Sequence, residues 1–252
     1  MFPLTGMDAL IKDRLDSVLS RIEAACKRAG RNPQEVEVMA VTKYAGEDQI
    51  AALLADGRIK HVGENRVQPS MQRWQSPALA DRKNVTLHLI GHLQSNKAAK
   101  AAGFFGSVDS LDNLETAITL GKKAQETGRI MPVMVQIKLT GRETQSGASL
   151  DDAGRLAEAA SKIEGLAVRG YMAIAPVTEN EQELRPLFGK VRALFDRDFP
   201  QPSVKGFRCY LSLGMTGDFE TAVEEGSTLP RIGSAIFAQQ EGVHDSESQS
   251  HT

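Results

Sequence analysis

Val36-Glu37-Val38-Met39-Ala40-Val41-Thr42-Lys43 is a compact apolar run that ends on a lysine. Its apolar part, 36–42, is short enough for a buried strand, and a strand there leaves Lys43 at its C-terminal end. Upstream, residues 7–29 carry Leu10, Ile11, Leu15, Val18, Leu19 and Ile22 at helical spacing with charges between them. That pattern predicts a helix, and Gly30 supplies a C-terminal stop. Downstream, strand and helix patterns alternate. Further strands are predicted at 60–63, 86–90, 107–109, 132–137, 167–172, 208–211 and 229–232. Helices are predicted between them at 47–55, 64–75, 96–101, 111–126, 151–162, 179–195 and 218–225.

Eight strands alternating with helices suggest a parallel (β/α)8 barrel, although a doubly wound α/β sheet alternates in the same way. The 252 residues suit one barrel and can bury a large core without disulfides. No linker divides the chain, so residues 1–240 are expected to form one domain. The polar residues 241–252 are expected to be a disordered tail.

The 30 Lys and Arg against 32 Asp and Glu give no basic excess for a nucleic-acid surface. The two cysteines, Cys26 and Cys209, form no CxxC pair and read as packing residues in a reducing compartment. Residues 1–15 mix acidic and basic side chains where a signal peptide needs an apolar stretch. No apolar run approaches the roughly 20 residues of a membrane span. A soluble, cytoplasmic protein that binds neither membrane nor nucleic acid is expected.

In a barrel the site lies at the C-terminal ends of the strands. That rule selects Lys43, Glu64 and Asn65, the stretch from His88 to His92, Asp109, Lys138, Met172, Ser212 and Arg231. A strand-end lysine often does no more than snorkel to solvent. A partly desolvated one loses its proton more readily, and a neutral amine attacks an aldehyde. The loops after strands seven and eight often hold phosphate in this fold. Here they read Leu211-Ser212-Leu213-Gly214-Met215-Thr216-Gly217 and Arg231-Ile232-Gly233-Ser234, each leading into a helix. Glycine allows close backbone approach, and helix N-termini favour anions. His88 and His92 are four apart, but Gly91 lies between them in a strand-and-turn stretch without the Glu of HExxH. No metal site is therefore expected. Trp74 and Met71, at helical spacing, read as outer packing.

The chain resembles the pyridoxal 5′-phosphate (PLP) homeostasis protein family. The matching segments are Ala40-Val41-Thr42-Lys43, Gly63-Glu64-Asn65-Arg66-Val67-Gln68, His88-Leu89-Ile90-Gly91-His92-Leu93-Gln94-Ser95-Asn96-Lys97 and Ser107-Val108-Asp109-Ser110. They continue with 211–220 and 225–237, in order along nearly the whole chain. The resemblance implies a barrel like the N-terminal domain of alanine racemase, with PLP as cofactor and Lys43 as the Schiff-base lysine. It implies that Ser212, Gly214, Met215, Thr216, Gly233 and Ser234 bind the phosphate, that Arg231 stands beside the pyridine nitrogen and that Asn65 lines the cofactor face. An arginine there discourages protonation of the ring nitrogen and weakens the ring as an electron sink. The chain departs from the family at Tyr44, Leu213, Pro230, Ser234 and Ala238. Tyr44 bears on the cofactor's surroundings, and Pro230 removes a backbone donor from the last strand.

The leading reading is a PLP carrier and buffer in vitamin B6 homeostasis rather than an enzyme, monomeric, with PLP-dependent apo-enzymes as possible recipients. One alternative is an amino-acid racemase; another is an aldolase that uses Lys43 without PLP. Alanine racemase takes its second acid/base tyrosine from an additional β-domain of another subunit. This sequence ends about twenty residues after the eighth predicted strand, so that domain is expected to be absent. Of its three tyrosines, Tyr44 adjoins Lys43, whereas Tyr171 and Tyr210 read as barrel packing.

Overall fold

The run that ends at Lys43 is a strand, β1 (Met39–Val41), in a computed structural model that describes residues 6–80, 82, 84–140, 146–176, 178 and 180–237. Helix α1 (Gly6–Arg28) precedes it, and α2 (Glu47–Asp56) follows. The chain then alternates through β2 (His61–Glu64), α3 (Val67–Arg73), β3 (Thr86–Leu89), α4 (Ala98–Phe104), β4 (Ser107–Leu111) and α5 (Leu114–Glu126). It continues with β5 (Met131–Lys138), α6 (Leu150–Ser161), β6 (Leu166–Ile174) and α7 (Glu181–Asp198). A two-residue-a-side antiparallel ribbon, β7 (Ser203–Val204) and β8 (Phe207–Arg208), leads to β9 (Tyr210–Ser212). The last elements are α8 (Phe219–Glu224), β10 (Arg231–Ile232) and α9 (Ser234–Phe237).

Eight strands pair in parallel in the order β10-β1-β2-β3-β4-β5-β6-β9. The edges β9 and β10 meet without a regular ladder. Leu229 N–H donates to Leu211 O at 3.1 Å, and Arg231 N–H donates to Gly214 O at 3.0 Å. The Ser212 hydroxyl adds a bond to Leu229 O at 2.8 Å. These bonds close the sheet into a (β/α)8 barrel, which settles the choice against an open doubly wound sheet. Pro230 supplies its carbonyl to Met39 N–H at 2.9 Å, so the proline sits where its neighbours do the donating.

Alternation along the strands sorts the core into two parts. Ala40, Val62, Leu89, Val108 and Val133 pack outward with the helices in one large cluster. Met39, Met134, Tyr210 and Leu229, with Ile90 against them, form a small separate cluster inside the barrel. Helix α1 buries Ile11, Leu15, Val18, Ile22, Ala25 and Cys26 and lies against α2, α8 and α9. Arg21 and Arg28 fasten it to Glu220 and Glu224 of α8, each at 2.6 Å. It therefore braces the part of the wall that carries the last strands.

Several predicted boundaries shift, each for a local reason. The helix predicted over 64–75 starts at Val67, because Glu64 is a buried strand residue. The helix predicted from 111 starts at Leu114, where the Asn113 side chain caps Thr116 N–H at 2.8 Å; Leu111 still pairs with Val135. The strand predicted over 208–211 is divided. Lys205 and Gly206, both at positive φ, turn the ribbon that holds Arg208, and the barrel strand begins at Tyr210. The tail predicted at 241–252 and the departure at Ala238 lie outside the described residues.

Candidate active-site cavity

A cavity of about 600 Å³ opens at the C-terminal mouth of the barrel. Lys43, Asn65, Met215, Thr216, Arg231, Gly233 and Ser234 line it, so the structure brings together seven of the nine residues selected from sequence. Val41, Ile90, Met172 and Ile174 give it apolar walls, and Tyr44 stands at its edge, 89% exposed.

Lys43 reaches the cavity because β1 ends two residues earlier. The residue is exposed, and its Nζ stands 5.1 Å from the centroid of the Tyr44 ring. The amine is thus exposed in the cavity mouth, beside the ring of the neighbouring tyrosine. Behind it, Thr42 is fully buried. Its hydroxyl donates to Glu64 Oε1 at 2.8 Å, which also accepts from Trp74 Nε1 at 3.0 Å and Arg73 Nη1 at 3.2 Å. Arg73 Nη1 donates to Thr42 O as well, at 2.8 Å. This cluster fixes the ends of β1 and β2, and with them Lys43 and Asn65. Trp74, expected as outer packing, is a buried donor within it. Asn65 is set from the other side by Gly91, where an added Cβ would fall 2.1 Å from Asn65 O.

Arg231 is buried and bound on three sides. Nη1 donates to Ser212 O at 2.7 Å and Ser212 Oγ at 3.0 Å, and Nη2 donates to Ala173 O at 2.9 Å. Burial pulls its pKa down to about 10, which leaves the guanidinium charged at neutral pH.

The two glycine loops meet at the cavity, where Gly233 N–H lies 3.4 Å from Thr216 Oγ1. Ser234 begins α9, whose first-turn N–H groups have no carbonyl one turn back within the helix. Gly214 has φ +84°, and an added Cβ would fall 2.6 Å from Ala222 Cβ, so only glycine lets this loop lie on α8. Gly214 and Ser212 do not line the cavity; they shape the wall behind it. Gln49, which sequence reasoning passed over, does line it, and its amide donates to Phe237 O at 3.0 Å. Only the closed barrel brings α2 against α9, so no local signal marked this residue.

The other candidates lie elsewhere. His88 is fully buried inside the barrel against Asp109 at 2.6 Å, whereas His92 is half-exposed and bonds Asp112 at 3.2 Å. Tyr171 OH donates to Asp198 at 2.5 Å and Tyr210 OH donates to Glu37; burial, chiefly, pushes both phenols above their usual range. Neither tyrosine lines the cavity. Among the described residues, no helix is long and apolar enough to cross a membrane.

The cavity's groups match what PLP requires: a primary amine, hydroxyls and backbone N–H groups for a phosphate, a fixed cation and apolar walls for a ring. Its volume is within the usual range for a small-molecule site.

Comparison with known proteins agrees with this architecture. The alanine racemase N-terminal domain family matches residues 14–241. The pyridoxal phosphate homeostasis protein of Aquifex aeolicus is 34% identical over 227 residues, covering 90% of this chain and 97% of the relative. Its namesake in Escherichia coli K12 is 32% identical over 228 residues, covering 90% and 95%. The solved structure of PipY from Synechococcus elongatus PCC7942, with PLP bound, superposes with TM-score 0.75 at 33% identity, covering 90% of this chain and 99% of PipY. Alanine racemase of Clostridium difficile 630 shares the fold, with TM-score 0.64 at 13% identity, over 89% of this chain and 57% of the enzyme.

Proposed function

This chain belongs to the pyridoxal phosphate homeostasis protein family, and from that premise we propose that it binds PLP at the barrel mouth, attached to Lys43, and acts as a carrier and buffer of the cofactor in vitamin B6 homeostasis. The observation that carries the reading is the convergence of Lys43, Asn65, Thr216, Arg231, Gly233 and Ser234 on one cavity. PLP supplies an aldehyde for an amine and a ring that can withdraw electrons. Lys43 provides the amine. Thr216, Ser234 and the backbone of 215–217 and 233–234 hold the phosphate, with Gly214 and Ser212 shaping their loops.

Arg231 faces the ring nitrogen. Three carbonyl or hydroxyl contacts keep it in place, so it acts as a fixed cation rather than a proton donor on demand. A charged guanidinium opposes a second positive charge on the adjacent nitrogen, and an unprotonated ring is a poor electron sink. Among the side chains lining the cavity, Lys43 and Tyr44 are the amine and phenol available to move protons, and Tyr44 points largely to solvent. The site therefore favours holding PLP over turning over amino acids.

We propose further that the protein is a cytoplasmic monomer that releases PLP to apo-enzymes. The buried free thiols Cys26 and Cys209 suit a reducing compartment. The test is the absorbance spectrum of the purified protein, with and without added PLP. A yellow protein, or one that turns yellow with one equivalent of PLP, supports the reading. A protein that stays colourless at saturating PLP would instead favour an aldolase using Lys43 on its own substrate.

A further inference from the structure

A second cavity, of about 330 Å³, lies at the opposite mouth of the barrel, where the strands begin. Arg82, Arg129 and Arg169 line it together with Val85, Leu87, Phe104, Pro132 and Phe207. The N-terminal mouth of such a barrel ordinarily serves stability. Three guanidiniums around one small cavity do the reverse unless something answers their charge.

Nothing among the described residues does so directly. Among the described residues, which do not include Asp81 beside Arg82, none of the three arginines has a carboxylate within 4.0 Å. Arg129 spends Nη1 and Nη2 on Ala102 O and Phe105 O, at 3.0 and 3.2 Å, which positions it and leaves its charge uncompensated. Arg82 stacks on Phe104 and Trp74, with Cζ 5.4 and 5.9 Å from the ring centroids, and its Nη1 is buried without a hydrogen-bond partner. Arg169 is 5% exposed and its Nε is likewise unpartnered. Its Nη2 donates to Ser107 Oγ at 3.0 Å, but the Ser107 hydroxyl itself donates to Asp109 at 2.5 Å, and Asp109 is also hydrogen-bonded to His88. Arg169 is thus a buried cation one hydroxyl removed from its nearest anion.

We propose that this cavity is a second ligand site, for a small organic anion with a carboxylate or phosphate head and an apolar or aromatic body. The head is recognised by the three guanidiniums, whose paired N–H groups match the oxygens of a carboxylate or a phosphate. The body packs on Phe104, Phe207, Val85 and Leu87. The volume admits one such molecule and no macromolecule. The site lies on the face opposite Lys43 and does not depend on what binds there.

The experiment uses the full chain with PLP fixed in the first site by borohydride reduction, and Lys43→Ala in parallel. Phenyl phosphate, phenylacetate, inorganic phosphate and neutral benzyl alcohol are titrated by calorimetry, with the fluorescence of Trp74, the single tryptophan, as a second readout. One saturable site for phenyl phosphate or phenylacetate is expected in the PLP-fixed chain, at least tenfold tighter than that for benzyl alcohol; the same site persists in Lys43→Ala, there beside any binding of phenyl phosphate to the open loops at the barrel mouth. If phenyl phosphate alone binds, the head is a phosphate; if phenylacetate alone binds, it is a carboxylate. Inorganic phosphate should bind more weakly than phenyl phosphate. Arg82→Gln should weaken binding tenfold or more. Val85→Phe, which fills the cavity and leaves every charge in place, should abolish it even if an arginine variant fails to fold. No saturable binding, equal binding of benzyl alcohol, or binding unchanged by Val85→Phe would overturn the proposal.

Discussion

Ser212 and Arg231 hold each other across the seam where the barrel closes: the guanidinium takes both the carbonyl and the hydroxyl of Ser212, at 2.7 and 3.0 Å. The same hydroxyl donates to Leu229 O. One side chain thus joins β9 to β10 and orients the cation that faces the cavity. Ser212→Ala leaves a buried charge short of one acceptor and a buried carbonyl short of one donor. A loss of about 1–3 kcal/mol in unfolding free energy is expected, measured by urea denaturation. Loss of less than half a kcal/mol would show that the seam does not depend on this hydroxyl.

Thr216 and Ser234 are the hydroxyls that line the cavity from the two loops. Either one changed to Ala should weaken PLP far more than pyridoxal, which lacks the phosphate. A hydrogen bond to a charged oxygen is worth roughly 1.5–3 kcal/mol, or about ten- to a hundredfold in affinity. Equal weakening of both ligands would place the phosphate elsewhere.

A chain of polar groups, buried except for the half-buried Glu37, crosses the lower barrel. Glu37 meets His61 Nε2 at 3.2 Å, His61 Nδ1 meets His88 Nε2 at 2.9 Å, and His88 Nδ1 meets Asp109 at 2.6 Å. Burial pushes His88 down to about 4 in spite of Asp109. The hydrogen bond from His61, chiefly, holds Glu37 down at about 2, against its burial. Between pH 6.5 and 4 the unfolded His88 binds a proton that the native one refuses, so stability falls as the pH drops through that window, by up to about 3 kcal/mol. Glu37 acts in the same direction lower down: its contribution is present above about pH 4.5 and is lost as the pH falls towards 2. Urea midpoints taken across pH 7 to 4 should show the decline, and His88→Gln should flatten it. A flat wild-type profile would mean that His88 is not held neutral.

Racemisation needs acid/base groups on both faces of the cofactor. Tyr171 and Tyr210 are tied to Asp198 and Glu37 away from the cavity, and Tyr44 is largely in solvent. In deuterium oxide with excess PLP, alanine and other amino acids should keep their α-protons and chirality as seen by NMR. Rapid exchange that disappears in Lys43→Ala would make the protein an enzyme.

The barrel was legible because short strand-like runs alternate with helical patterns along the chain, and its mouth because the run 36–42 stops at Lys43. Glu64 misled, since a carboxylate before an amphipathic stretch looks like a helix start; only the approach of Thr42, Arg73 and Trp74 makes it a strand end. The polar chain of Glu37, His61, His88, Asp109 and Arg169 left no local signal. Glu37 precedes β1 and the others stand on four different strands, and closure of the sheet is what brings them together. For Lys43 the position was legible, but its exposure beside the Tyr44 ring was not.

The central claim is that PLP is attached at Lys43. Borohydride reduction of the PLP-loaded protein, followed by proteolysis and mass spectrometry, tests it most directly. The account predicts one pyridoxyl-phosphate label per chain, on the peptide that contains Lys43, and loss of both the label and the yellow colour in Lys43→Ala. A label carried mainly by Lys97 or Lys138, or one that persists unchanged in Lys43→Ala, would contradict it.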